Sequence, residues 1–550
     1  MEEFIKDNWR QLLVLVLVVA FLYAFGVNGP LFWDDMDWIV NNPFIQSFTW
    51  SNIYNIFTQN ILAGANGTSN YYRPLLLVSF IPNYLLSGTN PVLYHIVNDL
   101  IHLANGVLIY YLLLHWFGKK RIAFLAALLF LIHPLQTEAV AYVVGRGDPL
   151  SVLFILGGIL LYIKKRFWLA MGAMIFAVLT RETGVLFPAY LGIVLIAFEH
   201  KGLFWERFTY AFIKVLPFAG ISAVYGILRL TVLNFQNTLN FSNQQNFYTE
   251  HVLYRIYTFF DALSLYVQLI FWPTGLHFFH DIPGSMTFWE GLVWLGGLII
   301  LACILWLFWL YRRKEKLAFN IWFFGLGIFF ANLSLSSGIV ASINARAMEH
   351  WLYFSLFGVF TIVAWYVDRL WSYLETYRPQ LKTVCVTIFA VYCLFLGYQT
   401  IQRNLIWADS VALLKNILQY EPNNYHALNN LGNWYYDRRD NATAKFYWEQ
   451  SIVANPYQPV AYTNLGYLAS DEGRTLEAEK IFKKAIDLDP YYYNAYYNLL
   501  VLYIQEKRFP EALQVLETVQ GKYPKKDFTT IENNIKDLQK SSTSTAPSRR

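Results

Sequence analysis

The stretch "LLVLVLVVAFLYAFGVNGPLFWDDMDW" (residues 12–38) joins an apolar run to a group of three acids. The run is long enough to cross a membrane, because a helical span needs about 20 apolar residues. It lacks the small-residue cleavage site of a removed signal peptide, so we expect a membrane anchor. Asp34 and Asp35 then lie where the chain leaves the membrane. Because adjacent carboxylates repel each other and resist desolvation, this pairing indicates a function.

The composition is that of a membrane protein with several spans. Of the 550 residues, 56% are hydrophobic and only 14% are charged, whereas soluble domains carry about 25% charged residues. The net charge of +5 is too small to indicate a nucleic-acid partner. Cys303, Cys385 and Cys393 all lie in apolar stretches, so their spacing fits neither a disulfide framework nor a zinc site.

Eleven apolar segments are candidate spans, and the basic clusters between them indicate their orientation. The clusters at 119–121, 164–166 and 312–316 predict cytoplasmic turns by the positive-inside rule. This orientation places the N-terminus in the cytoplasm and the C-terminus outside. Residues 251–272 are apolar enough to span, but their charged and polar side chains favour an interfacial helix on the outer side. The predicted spans are centred near residues 20, 106, 129, 156, 173, 191, 220, 300, 327, 360 and 390.

With this topology, six polar stretches reach the same side of the membrane. Ionisable residues at a membrane boundary usually line a cavity or a substrate path. The basic turns lie on the opposite side, so the six stretches predict an outward-facing active-site cleft. They are "FWDDMDW" (32–38), "YYRPL" (71–75), "HPLQTEAVAYVVGRGDP" (133–149), "TRETG" (180–184), "HFFHDIPG" (277–284) and "NARAMEHWLYF" (344–354).

A polar stripe follows one face of the second predicted span. His95, Asn98, His102 and Asn105 recur at steps of three and four residues, which places them on one side of a helix. The simpler interpretation is a seam that neighbouring helices satisfy by hydrogen bonding. A metal site would need a third close ligand that this spacing does not supply, so we do not predict one here.

The C-terminal region repeats every 34 residues, which is the period of tetratricopeptide repeats. Each such unit is a helical hairpin that buries its apolar face by stacking on its neighbour. Residues 407–422 have the pattern of a preceding half-unit, and the composition of 541–550 predicts disorder. The aligned positions are Pro422, Pro456, Pro490 and Pro524; Leu431, Leu465 and Leu499; Gly432, Gly466 and Leu500; Ala444, Ala478 and Ala512; and Trp448, Phe482 and Leu516.

These motifs together resemble the transmembrane and tetratricopeptide-repeat glycosyltransferases, relatives of the protein O-mannosyltransferases in the GT-C superfamily. The resemblance covers nearly the whole chain. Two positions depart from the family pattern: Arg181 stands where relatives often carry lysine, and His350 stands where an arginine is usual. The motifs are the acid pair followed by Asn41 and Asn42, "YRPL", "YHIVNDLIH", "HPLQTEAVAYVVGRGDPL", "RETG", "EHWLYF" and the repeats.

The resemblance implies an all-α architecture in two domains. A polytopic GT-C helix bundle would occupy residues 1–403, with a first outer loop at about 30–93. A tetratricopeptide-repeat solenoid would follow at 404–540, with three full repeats at about 425–526.

The resemblance also implies an inverting transfer of a sugar from a polyprenyl-phosphate donor to a hydroxyl acceptor, on the non-cytoplasmic face. Asp34 is the expected general base and Asp35 a supporting group, since a carboxylate can take the proton of a serine or threonine hydroxyl. Arginines would bind the lipid phosphate, although each could instead form a structural ion pair. The predicted residues of this phosphate and substrate site are Arg73, Glu138, Arg146, Asp148, Arg181, Glu182 and Arg346.

Several features stay open at this level. The resemblance makes mannose the commonest guess for the sugar, although no residue of the sequence selects it, and a divalent cation could assist. The expected partners are the lipid-linked donor, membrane lipid and an acceptor polypeptide held by the repeats. The location would be a bacterial cytoplasmic membrane with the repeats in the periplasm, or the endoplasmic reticulum of a eukaryote. A non-catalytic scaffold and a lipid-linked oligosaccharide ligase are alternatives. A transporter is disfavoured, because its charges would lie near the midplane within duplicated halves.

Overall fold

The computed structural model describes residues 2–65, 67, 69–235, 247–282, 284–340, 343, 345–522 and 528–544. Within these residues the chain is helical and forms no strand, and one isolated antiparallel bridge joins His280 to Ala347. The chain divides into two compact units, Met1–Ser410 and Val411–Arg550. The fold is therefore the predicted all-α combination of apolar helices and helical repeats.

The α-helices of the first unit follow the apolar segments of the sequence. They are α1 (Glu2–Tyr23), α2 (Trp50–Thr58), α3 (Pro74–Ser87), α4 (Val92–Phe117), α5 (Lys120–Ile132), α6 (Thr137–Ala141), α7 (Gly147–Ile163), α8 (Phe167–Thr180), α9 (Phe187–Val194), α10 (Phe204–Leu230), α11 (Phe247–Glu250), α12 (Val252–Phe271), α13 (Val293–Arg312), α14 (Lys316–Ser336), α15 (Ser355–Tyr377) and α16 (Pro379–Trp407).

Every predicted span centre falls inside one of these helices, but not every helix has the length and composition of a span. Seven helical segments in the described residues are long and apolar enough, and α5 with α6 makes an eighth if this pair, bent by 58°, counts as one span. The helix α8 has 14 residues, fewer than the roughly 20 needed to cross. Neither α1, whose first turns are charged, nor α15 is among the seven. Length and composition thus support seven or eight of the eleven predicted spans.

The segment predicted to be interfacial forms one helix, α12, which is also not among the seven. Its acid is satisfied by protein groups: the Asp261 carboxylate accepts hydrogen bonds from the Leu292 N–H at 2.9 Å and from the Ser285 hydroxyl at 3.4 Å. These bonds attach α12 to the loop that precedes α13.

The second unit consists of paired helices with the predicted 34-residue period. Its helices are α17 (Ser410–Tyr420), α18 (Tyr425–Asp437), α19 (Asn441–Ala454), α20 (Pro459–Asp471), α21 (Thr475–Leu488), α22 (Tyr493–Gln505), α23 (Phe509–Lys522) and α24 (Thr529–Ser544). The last helix extends four residues into the segment 541–550, and residues 545–550 lie outside the described residues.

Side-chain size at two aligned positions explains how the repeats pack. A Cβ added at Gly432 would lie 2.4 Å from the Trp448 ring, and one added at Gly466 would lie 2.7 Å from the Phe482 ring. The third repeat has Leu500 at the glycine position and the smaller Leu516 at the aromatic position, and both are buried. Each hairpin therefore combines a small residue with a large one, or two residues of middle size.

Candidate functional site

The two adjacent acids differ in their accessibility to solvent. The Asp35 side chain is fully buried and accepts hydrogen bonds from two backbone N–H groups, those of Phe32 at 3.2 Å and Val144 at 3.0 Å. Burial raises the pKa of Asp35 well above its usual range, although these two bonds oppose the shift. Its carboxylate thus joins the loop after α1 to the turn before α7.

The Asp34 side chain is instead exposed to solvent. Its N–H donates to the Tyr142 hydroxyl at 3.2 Å. The surrounding protein atoms raise the pKa of the Asp34 carboxyl, and the negative charge of Asp37 raises it further. A hydrogen bond from Tyr142 and the positive charge of Arg73 act in the opposite direction. Asp34 is therefore a reachable carboxylate of increased basicity.

Aromatic rings surround the residue that precedes Asp34. Trp33 has a left-handed backbone with φ 53°, which is uncommon for a large side chain. Its ring centroid lies 4.7 Å from that of Phe278 and 6.4 Å from that of Tyr142. Tyr142 in turn stacks on Trp407 at 5.5 Å. Packing of these rings fixes the turn that presents Asp34.

Two arginine–carboxylate pairs join residues of three of the outer polar stretches. The Arg73 Nη2 lies 2.8 Å from a Glu182 carboxylate oxygen, and the Arg181 Nε lies 2.8 Å from Oδ1 of Asp148. The second carboxylate oxygen of Asp148 is buried and has no hydrogen-bond partner. The structure thus brings together four of the residues predicted for the phosphate and substrate site.

A further pair involves Glu138, which is buried. Its Oε2 accepts a hydrogen bond from the His350 N–H at 3.0 Å, and its Oε1 lies 2.5 Å from His350 Nδ1, within hydrogen-bond distance. Burial lowers the pKa of His350 to about 4, while Asp148 raises it and Arg181 and Arg73 lower it. The Glu138–His350 contact joins α6 to the loop before α15.

The remaining outer acids and bases connect two loops. Glu349 is fully buried between Arg403, at 3.1 Å, and His280, at 3.2 Å. Arg346, which is partly exposed, lies 3.2 Å from the Asp281 carboxylate and donates to the Ile282 carbonyl. The contacts of His280 with Glu349 and of Arg346 with Asp281 and Ile282 join the loop after α12 to the loop before α15.

Arg146 differs from the other three arginines because it is fully buried and four of its five N–H donors already bond to protein acceptors. Its guanidinium donates to Oδ1 of Asn98 at 2.6 Å, to Oδ1 of Asn83 at 2.8 Å, and to the carbonyls of Ser79 and Tyr94 at 2.9 and 3.1 Å. The sequence predicts a phosphate ligand here. The structure instead shows a guanidinium enclosed by α3 and α4.

The polar stripe on α4 is a hydrogen-bonded seam. His95 Nε2 lies 3.0 Å from the Gly29 carbonyl, and Asn98 donates to the carbonyls of Val140 and Val143. His102 Nδ1 lies 2.8 Å from the Tyr353 hydroxyl. Each of these side chains joins α4 to a neighbouring segment, as the simpler interpretation of the stripe predicts.

Several contributors to the site are not among the predicted site residues, although Tyr142 and Phe278 lie within two of the six polar stretches. Tyr142, Phe278 and Trp407 are separated from Asp34 by more than a hundred residues, and no spacing rule connects them. In the described part of the chain, no three His, Cys, Asp or Glu side chains are grouped so that they could hold a metal ion.

Sequence comparison identifies known proteins that are similar to this chain. A protein O-mannosyl-transferase of Caenorhabditis elegans is 34% identical over 163 residues, which is 28% of this chain and 23% of the relative. Protein O-mannosyl-transferase TMTC1 of Mus musculus is 40% identical over 144 residues, 26% of this chain and 15% of the relative. TMTC4 of Homo sapiens is 33% identical over 207 residues, 32% of this chain and 28% of the relative. The chain is similar to the protein O-mannosyl-transferases.

This similarity confirms the resemblance inferred from the motifs. A family model described as "Tetratricopeptide repeat" also matches residues 469–531, inside the predicted repeat region. The chain spans less than a third of the length of each of the three relatives.

Proposed function

We propose that the chain is a membrane glycosyltransferase that transfers a sugar from a polyprenyl-phosphate donor to a serine or threonine hydroxyl of a polypeptide. The observation that carries the proposal is the contrast within the acid pair. Asp35 is buried and fixes the loop, whereas Asp34 is exposed beside Arg73. The names of the relatives favour mannose as the sugar and a protein as the acceptor.

In the proposed reaction, Asp34 acts as the general base. The acceptor oxygen forms a bond to the anomeric carbon, the bond from that carbon to the phosphate oxygen breaks, and the hydroxyl proton passes to the Asp34 carboxylate. Attack opposite the leaving phosphate inverts the anomeric centre. Asp35 holds the loop in place through the N–H groups of Phe32 and Val144. General-base assistance of this kind contributes about 10²- to 10⁴-fold.

The phosphate that leaves with the lipid needs positive charge. Arg73 and Arg181 are the best candidates, because the charge of Arg73 acts on Asp34 and both arginines keep some exposure, with side chains 11% and 12% accessible. Donors aimed at a developing charge stabilise the transition state. Arg146 would act as a positioning residue, since its donors already bond to α3 and α4.

The rest of the proposal concerns the surroundings of the reaction. The active side and the repeats would face away from the cytoplasm, and the repeats would hold the acceptor polypeptide. This arrangement agrees with the basic clusters at 119–121, 164–166 and 312–316, which are typical of cytoplasmic turns. A scaffold without catalysis is the alternative, and it would tolerate the loss of both acids.

The experiment that tests the proposal compares three isosteric changes in one loop. Asp34→Asn keeps the size of the side chain but removes the proton acceptor, so transfer should fall by at least ~10²-fold. Asp35→Asn should reduce transfer less, and Asp37→Asn should leave turnover at neutral pH close to that of the wild type. The assay presents purified protein with a panel of polyprenyl-phosphate sugars and acceptor peptides.

Donor binding by the Asp34→Asn protein should persist, because the substitution acts on the acceptor hydroxyl. Turnover near wild type in both Asp34→Asn and Asp35→Asn would reject the assignment of the base and favour the scaffold.

A further inference from the structure

The chain from 38 to 72, between Asp37 and Arg73, contains no Lys, Arg, Asp, Glu or His in 35 residues. This segment connects α1 to α3 and therefore lies outside the predicted spans. A water-exposed loop of this length would normally carry several charges, because about a quarter of the residues in soluble domains are charged. Its composition indicates contact with something other than bulk water.

The helix α2 inside this segment has two different faces. Ile56 is buried at 2% exposure, whereas Trp50 is 84% exposed and Tyr54, one turn later, is 61% exposed. Phe48, just before the helix, is 70% exposed. Trp50 and Tyr54 are four residues apart and therefore lie on the same side of the helix. We call Phe48, Trp50 and Tyr54 the aromatic face.

Polar contacts hold the segment in a defined conformation. Thr49 caps α2 by accepting a hydrogen bond from the Asn52 N–H, and the Asn52 amide donates to the carbonyls of Pro43 and Ser47. The Tyr72 hydroxyl donates to the Phe57 carbonyl at 2.9 Å. The exposed rings therefore sit on an ordered helix whose other side is packed.

We propose that the aromatic face lies in the headgroup region of the lipid bilayer. Trp and Tyr are enriched at membrane–water interfaces, where the ring lies among acyl chains and the polar edge stays hydrated. An interfacial helix binds through buried apolar area, and anionic lipids add attraction only when the helix carries basic residues. Since this segment has none, the partner is a zwitterionic lipid surface.

Other apolar residues of the same unit are exposed as well. The helix α3, which packs against α2, has Leu85 and Leu86 exposed at 56% and 78% near its end, and α4 exposes Leu100 at 57%. The segment is flanked on both sides by the charged residues Asp37 and Arg73. Contact with lipid through α2 would therefore fix the height of Asp34 and Arg73 above the bilayer, close to the level of a phosphate headgroup.

Single-cysteine fluorescence on the full-length chain tests this assignment. Cys303, Cys385 and Cys393 are replaced by alanine, and one cysteine is introduced by Trp50→Cys or Tyr54→Cys and labelled with an environment-sensitive nitrobenzoxadiazole dye. Two controls share the background: Ile304→Cys on α13, 58% exposed in a span, and Lys480→Cys, exposed on the repeats. Each protein is reconstituted into phosphatidylcholine vesicles.

Labels at 50 and 54 should emit at shorter wavelength than the label at 480. They should be quenched more by lipids with a nitroxide beside the headgroup than by lipids with a nitroxide deep in the acyl chain, and the label at 304 should show the reverse order. Replacing part of the phosphatidylcholine by anionic lipid should change nothing.

Quenching of positions 50 and 54 by aqueous iodide, with no effect of nitroxide lipids, would overturn the assignment. A blue shift without lipid quenching, accompanied by cross-linking of two copies through position 50, would assign the face to a second copy instead. The measurement needs no sugar donor, so an Asp34→Asn protein should give the same result. A failure here is therefore separate from a failure of the proposed function.

Discussion

Asp34 and Asp35 show how two adjacent residues of one type acquire different roles. Successive side chains in this turn point in different directions, so one carboxylate enters the protein and bonds to the Phe32 and Val144 N–H groups. The other remains exposed beside Tyr142. The sequence predicts that the pair matters, but only the backbone path decides which acid is free to meet a substrate.

The neighbours of Asp34 lead to a prediction about pH. A base acts in its ionised form, so activity should rise with pH through the pKa of Asp34, which is raised above its ordinary value of about 3.9. Tyr142→Phe removes a hydrogen bond that lowers this pKa, and the acid limb should move to higher pH. Asp37→Asn removes a charge that raises it, and the limb should move to lower pH.

The measurement is kcat/KM against pH for the wild type and the two variants in the same lipid. Shifts of equal sign, or no shift in either variant, would contradict the role assigned to Asp34. Tyr72→Phe is a matched control, because that hydroxyl bonds to the Phe57 carbonyl and not to the acid.

Arg146 and Arg346 should respond differently to replacement by alanine. Arg146→Ala would leave the buried acceptors of Asn83 and Asn98 without a donor, and each unsatisfied group costs roughly 1–3 kcal/mol. We expect a loss of about 3 kcal/mol or more and a clear fall in the midpoint of thermal unfolding in detergent. Arg346→Ala, at a partly exposed ion pair, should change stability by less than about 1 kcal/mol. Equal effects on stability would contradict the enclosed position of Arg146.

The site was predictable where residue type and sequence position carry the information. The acid pair after the first apolar run, the arginines of "YRPL" and "RETG", and the seam on α4 all follow from local patterns. The enclosure of Arg146 does not, because its partners Ser79, Asn83, Tyr94 and Asn98 come from two helices. Tyr142 and Trp407 likewise meet near Asp34 only after long-range packing.

For the helices, the sequence pattern predicts where a helix forms better than whether that helix crosses the membrane. Every predicted span centre lies in a helix, because apolar segments of this length form helices in a bilayer. The length and straightness of these helices do not follow from the same pattern: α8 has only 14 residues, and the pair α5–α6 bends by 58°. Hydropathy alone does not reveal such breaks. The 34-residue period predicted the helix pairs of the second unit more accurately, since each repeat supplies several independent positions that agree.

The pairing of small and large residues in the repeats gives a prediction at the level of one hairpin. Gly432→Leu places a side chain where the Trp448 ring lies, and overpacking of this kind typically costs about 1–3 kcal/mol. Adding Trp448→Leu to that variant recreates the Leu500–Leu516 combination of the third repeat and should recover part of the loss. Thermal unfolding followed by circular dichroism measures both proteins.

Trp448→Leu alone serves as the reference for a double-mutant cycle. A double variant whose destabilisation equals or exceeds the sum of the two single variants would mean that the two positions do not compensate for each other.

For the whole molecule, orientation in the membrane is the feature on which the proposed function depends. Position 480 in the repeats should be accessible from outside the cell, and position 164 in a predicted cytoplasmic turn should be accessible only from inside. A membrane-impermeant maleimide added to intact cells should reach Lys480→Cys and should reach Lys164→Cys only after permeabilisation, because basic clusters stay inside. Labelling of position 164 and protection of position 480 would reject both the topology and the outward-facing active site.

The enclosure of Arg146 has a consequence for how the first unit loses its structure. One guanidinium bonds to α3 and α4 while its own backbone lies in the turn before α7, so no one of these segments separates without breaking several buried bonds together. The three segments therefore form a single cooperative unit of local opening. Deuterium exchange of their amides would then follow one common rate, set by a rare collective fluctuation and not by the fraying of individual helices.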